Sequence, residues 1–158
     1  MPIKKLKKYL DEHKIKYVSF SHSTAYTGQE IAEAAHISGK ELVKAVILKV
    51  DNELAMVVLP VSFRIDFDLL KQSLNAEKIE LATEDEFIDW FPDCEIGAMP
   101  PFGNLYGIPV FVANRLEEQE MITFNAGNHR ELIQMRFHDY KRLVNPQMVD
   151  MTFVSVYF

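Results

Sequence analysis

Residues 42–59, LVKAVILKVDNELAMVVL, constrain the fold most. Two β-rich apolar runs, 42–50 and 54–59, flank Asp51-Asn52-Glu53 and predict a hairpin, with Pro60 ending the second run. Alternation places Lys44 on the face of Leu42, Val46 and Leu48, in a run otherwise suited to a sheet core. A lysine there either snorkels to the sheet edge or ends in a polar cavity, facing a phosphate or carboxylate. A Schiff-base role has little support, because no glycine-rich phosphate cup accompanies it.

The rest of the chain alternates helical and strand patterns without repeated βαβ units. Ile3, Leu6 and Leu10 predict an amphipathic helix over 3–13, and 17–21 reads as a short strand. Thr27 to Glu30 fits a capping box opening a helix that carries Ile31, Ala34 and Ala35, and Ser38 to Glu41 repeats the pattern for one turn. A helix follows Asp66, a brief strand covers 78–81, and a capping box over Thr83 to Glu86 opens a helix stopped by Pro92. Phe87, Trp90 and Phe91 read as core rather than as a stacking platform. Strands are predicted at 109–113, 121–125 and 132–137, a helical turn at 139–144 and a strand-like tail at 151–157. This order predicts one α+β domain over 1–158 with a mixed sheet.

Three segments could carry chemistry. The loop Gly97-Ala98-Met99-Pro100-Pro101-Phe102-Gly103 combines two residues of fixed φ with two that tolerate positive φ. Its few amides are held in set directions, suited to an oxyanion or simply to a rigid turn. Asn125-Ala126-Gly127-Asn128-His129 sits where a strand ends, a common place for site residues. His22 follows the first strand. The histidines lack metal-ligand spacing, Cys94 has no CxxC partner, and no Walker A, GxGxxG or GxSxG string occurs. Cys94 reads as structural, and no metal or other cofactor is expected.

Net charge is −6, yet residues 1–16 hold six lysines against Asp11 and Glu12. Such a basic face on an acidic body can meet phosphate or merely be solvated. A single cysteine fits a reducing cytosol, and with no signal-peptide core or apolar stretch near 18 residues the chain is expected to be cytoplasmic, without a membrane partner.

These segments resemble the YbaK family, which is similar to the editing domain of bacterial prolyl-tRNA synthetases. The resemblance rests on the Lys44-Ala-Val-Ile-Leu strand, Ile65-Asp-Phe-Asp-Leu-Leu70, Glu84-Asp-Glu-Phe87, Cys94 to Gly103 and Ala126-Gly-Asn-His129, spanning roughly 3–145. It implies a mixed sheet curled toward a barrel with flanking helices. It also implies hydrolysis of the ester of a mischarged aminoacyl-tRNA, with a synthetase as a further partner. By the same resemblance Lys44 contacts the terminal nucleotide, Gly97 and Pro100 contact the aminoacyl group, His129 completes the catalytic set, and Gly127, matching the glycine after the late strand, joins the substrate-binding residues. His22, Ala98, Met99 and Asn128 are the expected substrate-binding residues. Phe20 or Ser21, Ala45 and Leu132 stand where cysteine- or alanine-specific relatives carry tyrosine, asparagine and aspartate, so neither of those pockets is reproduced. A non-catalytic module binding the tRNA 3′ end on the same fold stays open as the alternative.

Overall fold

The computed structural model describes residues 2–21 and 38–154, so the expected capping box and helix after Thr27, and His22, lie outside the described residues. The predicted hairpin is the centre of the structure. Strands β2 (Val43–Val50) and β3 (Glu53–Pro60) pair antiparallel from Val43↔Pro60 to Val50↔Glu53. The turn is two residues long, with Asp51 (φ 49°) and Asn52 (φ 72°) both left-handed, the twist that suits a tight hairpin. Asp51 Oδ1 also accepts the amides of Glu77 and Lys78, which docks β5 (Ile79–Leu81) on the outer side of β2.

Strand β6 (Val110–Ala113) joins β3 in parallel, and β9 (Gln147–Val149) joins β6, giving the order β5-β2-β3-β6-β9. A second sheet has the order β1-β8-β7, from β1 (Tyr17–Ser21), β7 (Met121–Asn125) and β8 (Glu131–Arg136), all antiparallel. β4 (Phe63–Ile65) pairs with β10 (Thr152–Val154). β4 and β9 escaped the sequence reading.

Both faces of the hairpin are buried. Val43, Ile47, Met56 and Val58 enter the larger core with Ile122, Phe124, Ile133 and Met135, and Leu6 and Leu10 of helix α1 (Pro2–Glu12) cover it. Leu48, Val57 and Leu59 face the other way, onto Leu70 of helix α2 (Phe67–Leu74), Val149 and Met151. This two-sided burial explains the near-continuous apolar runs. Each such side chain removed from water contributes about 1.5–3 kcal/mol. Asp66 caps α2 by accepting the Leu69 amide at 3.1 Å, as expected for a helix opening there.

The capping signal at Thr83 is realised, with Glu86 Oε1 accepting the Thr83 amide at 2.9 Å. The α-helix it opens, α3 (Glu84–Phe87), lasts one turn before a 3₁₀ segment over Ile88–Trp90. The tighter winding changes which side chains face inward. Phe87 and Phe91 are core, but Trp90 is 45 % exposed, contrary to the sequence reading. Helix α4 (Phe137–Val144) begins directly after β8. Its Tyr140 is fully buried and donates its hydroxyl to the Pro101 carbonyl at 2.6 Å, fastening the Pro-Pro loop to the core.

Lys49, on the opposite face of β2 from Lys44, bridges Glu86 at 2.6 Å and Glu80 at 3.1 Å. The Lys49 bond and then the Thr83 amide lower the Glu86 carboxyl to about 2 from its ordinary 4.5. A depressed carboxyl stabilises the fold fully above its unfolded pKa, and that contribution is lost as pH falls toward the folded value. Glu86→Gln should therefore narrow its stability gap to wild type between pH 4.5 and about 2 in urea unfolding. A gap independent of pH across that window would contradict the coupling.

Candidate active site

Two loops remote in sequence are zipped together. Glu95 donates its amide to Gly127 O at 2.8 Å, Gly127 returns its amide to Ala98 O at 3.0 Å, and Ala98 donates to Glu95 O at 3.1 Å. Gly97 (φ +83°) and Gly127 (φ +103°) adopt backbone conformations costly for other residues. Ala98, Met99 and Pro100 are buried behind the turn. Among the described residues the amides of Gly97 and Met99 have no acceptor. The expected stiff loop is therefore present, and it retains donors not used by its own folding.

His129 is buried against this turn. Its Nε2 lies 2.8 Å from the Ile96 carbonyl, and a carbonyl can only accept, so Nε2 carries the proton. A Cβ built on Gly97 would sit 3.5 Å from the His129 ring. Asn128 uses its side chain within the hairpin loop. Its Oδ1 accepts the amides of Arg130 and Glu131, both at 2.8 Å, while Nδ2 donates to Glu131 Oε1 at 3.3 Å. Lys44, Ala98, Met99, Pro100, Gly97, Gly127, Asn128 and His129 all fall in two connected regions, the hairpin loop with its zipped partner and the start of β2.

One backbone bridge links those regions. Leu42 and Thr123 pair in parallel, with the Thr123 amide donating to Glu41 O at 3.0 Å. β2 and β7 otherwise belong to different sheets. Val43 on β2, and Ile122 and Phe124 on β7, enter the larger core. Leu42 and Thr123 consequently face the other side, and so do Lys44 and Asn125, the next same-face residue on each strand. Glu41 Oε2 knits this face by accepting Thr123 Oγ1 at 2.8 Å and Gln134 Nε2 at 3.1 Å.

Lys44 is partly buried, and among the described residues it forms no hydrogen bond or ion pair. Burial, and secondarily the Arg64 guanidinium, push its ammonium below the usual lysine range. Asn125 is only 9 % exposed, and its Oδ1 has no hydrogen-bond partner. Sequence reasoning placed Asn125 at the head of a candidate loop and Glu41 in a capping pattern, but gave neither of them, nor Thr123, a role in the site. The available signal was polar residues alternating with Ile122 and Phe124 in a strand otherwise built for a core. Cys94 sits 3.6 Å from the Tyr106 hydroxyl, and burial pushes its thiol up, away from the range of a reactive thiolate. Among the described residues no three His, Cys, Asp or Glu side chains gather as a metal site, and no helix is long and apolar enough to cross a membrane.

The family model of the aminoacyl-tRNA editing domain matches residues 22–143. No match was found among curated proteins. Among solved structures, a hypothetical protein superposes with a TM-score of 0.84 at 17 % identity, over 94 % of this chain and 99 % of its own. Another, described as "a putative trans-editing enzyme for prolyl tRNA synthetase", gives 0.81 at 19 % identity, over 96 % and 97 %. At these identities the likeness shows the fold, an α+β arrangement with a mixed sheet.

The two exposed glycine turns provide a matched test. Gly97 and Gly107 both have positive φ, but only Gly97 abuts His129, while a Cβ at Gly107 meets nothing within 4 Å. Alanine at either position should cost about 1–2 kcal/mol in urea unfolding from backbone strain. Only Gly97→Ala should move the His129 ring resonances in NMR spectra. Equal movement from Gly107→Ala, or no cost at Gly97, would show that the turn is not built as described.

Proposed function

The chain belongs to the aminoacyl-tRNA editing domain family, and from that premise we propose that it is a deacylase, hydrolysing the ester that joins a wrong amino acid to the 3′ adenosine of a tRNA. The observation carrying this reading is a partly buried ammonium without a counter-charge, Lys44, linked through the Leu42–Thr123 bridge to a stiff loop with spare amides. A cation so placed is costly unless a ligand receives it, and a tRNA terminus supplies phosphate.

No nucleophilic side chain is required. An aminoacyl ester is already activated, so a water held against the carbonyl carbon, with the neighbouring ribose hydroxyl to orient it, suffices. Attack forms a tetrahedral centre whose oxyanion the Gly97 and Met99 amides can stabilise. The proton given up by the attacking water passes to the ribose oxygen, which leaves as a hydroxyl as its bond to the carbonyl carbon breaks, and the freed amino acid carries the carboxylate. His129, with Nε2 committed to Ile96, serves as a wall that shapes the acyl pocket, Gly127 permits the close turn, and Asn128 holds the loop. Lys44 positions the terminal nucleotide. Pocket size would reject the correct amino acid, the sieve logic of editing.

Recruitment fits helix α1. Lys4 and Lys8 are exposed, while Lys5 is committed to Leu105 O at 3.2 Å and to the face of Tyr106. Such a face attracts RNA phosphate without reading sequence. A synthetase partner and a cytoplasmic setting accompany this reading.

Single-turnover deacylation across a panel of mischarged tRNAs tests it. Lys44→Ala should lower the rate by roughly a hundredfold or more, the scale of losing one preorganised electrostatic contact. Its melting temperature should match or exceed wild type, because a desolvated charge is removed. Lys44→Arg should also be slow, since a planar fork does not replace a compact ammonium. Lys49→Ala, altering the opposite face, should keep the wild-type rate. A fully active Lys44→Ala, or binding of the tRNA end without hydrolysis of any ester, would favour the non-catalytic module instead.

A further inference from the structure

We infer that Asn125 is the acceptor that recognises the free α-ammonium of the aminoacyl group, so that the site takes aminoacyl esters and rejects those with a blocked amine. The inference rests on the editing reading and assigns a substrate contact to a residue outside the expected set. Three features lead to it. Asn125 ends β7, and its neighbours in the alternation, Ile122 and Phe124, belong to the larger core, so its carboxamide leaves the opposite face. Thr123, on that same face, has its hydroxyl satisfied by Glu41. Asn125 is 9 % exposed and its Oδ1 is itself withdrawn from solvent, yet among the described residues that oxygen has no partner, a rare condition for a buried amide oxygen.

The second feature is position. β7 continues through Ala126 into the turn zipped to Ala98, so Asn125 lies two residues before Gly127, the residue hydrogen-bonded to the Gly97 loop. The Leu42–Thr123 bridge puts Lys44 one same-face step along its own strand, as Asn125 is along β7. The third is chemical complementarity. Among the described residues Lys44 lacks an anion and Asn125 Oδ1 lacks a donor, and the two are not bonded to each other. An aminoacylated 3′ end brings an anionic phosphate and an ammonium on one molecule. A neutral acceptor is required beside Lys44, because a carboxylate there would pair with the lysine and displace the phosphate. The selectivity has a use, since N-acylated esters such as peptidyl-tRNA would be spared.

The test compares an aminoacyl-tRNA that wild type turns over with its N-acetylated form, using Asn125→Leu and Asn125→Ala. Wild type should favour the free amine, and both variants should lose about tenfold or more in kcat/KM on it, the usual scale for a hydrogen bond to a charged group. Activity on the N-acetyl form should stay unchanged, so the ratio collapses. Melting temperatures at or above wild type should accompany the loss, because an unpaired buried amide has gone. Equal losses on both substrates, or no loss on either, overturn the assignment. A binding arm keeps it separate from the hydrolysis reading. Calorimetry with 3′-alanylamino-3′-deoxyadenosine and its N-acetyl derivative needs no turnover. Tighter binding of the free amine by wild type, abolished in both variants, supports Asn125 even if no ester is hydrolysed, whereas equal affinities or no binding overturn it.

Discussion

Burial of the β2–β3 hairpin on both faces is the constraint on which the rest depends. One face closes onto the second sheet and α1, the other onto α2 and the strands near the C-terminus. Strands enclosed in this way leave no tolerance for polar side chains except where the enclosure ends. Lys44 lies at such a place, next to the last pairs of the hairpin, opposite Leu59. Burial, with the Arg64 guanidinium second, lowers its ammonium below the usual lysine range. Lys49, five residues on, answers the same problem differently, by reaching two carboxylates on β5 and α3. One lysine is therefore neutralised internally, while the other has no carboxylate among the described residues.

The loop that would meet the ester is rigid for reasons located outside it. Gly97 and Gly127 allow the two turns to interlock, but the fixing contacts come from elsewhere. Tyr140 reaches Pro101 from α4, and Phe102 packs edge-on against both Tyr140, at 5.2 Å, and Phe124, at 5.5 Å. Phe124 is the neighbour of Asn125 on β7, so the strand that presents the carboxamide also buttresses the Pro-Pro loop. Displacing either would disturb both, a coupling carried by packed side chains rather than by a hinge.

Local signals carried much of this in the sequence. The hairpin, the Asp66 cap, the Thr83–Glu86 box and strand β7 were legible, because each depends on residues within one turn or on alternation. Elements defined by partners far along the chain were not, as with β4, which pairs with β10, and β9, which pairs with β6. The helix expected through Phe91 tightened into a 3₁₀ turn after Phe87, a choice made by packing that left Trp90 in solvent. Lys44 and the glycine-proline loop stood out as violations of their surroundings. Asn125 and Thr123 were equally anomalous, but polar residues near a strand end are common, and only pairing shows that the face they occupy is shared with Lys44. The bridge that reveals this is a single residue pair across 81 positions of chain.

Asn125 also gains from its neighbour. Across the hairpin it pairs with Leu132, which is fully buried, so the surroundings of the carboxamide on that side are apolar. Low polarity cuts both ways, raising the cost of an unmade hydrogen bond and strengthening one that is made. In the unliganded protein the amide oxygen is a liability that the hairpin packing must sustain. When a cationic donor arrives, the same surroundings increase its worth, so selectivity between a charged amine and an acylated one needs no carboxylate. Under the proposal, one molecule would satisfy both of these groups, one donor-rich and one acceptor, which lie on strands of different sheets joined by the Leu42–Thr123 bridge.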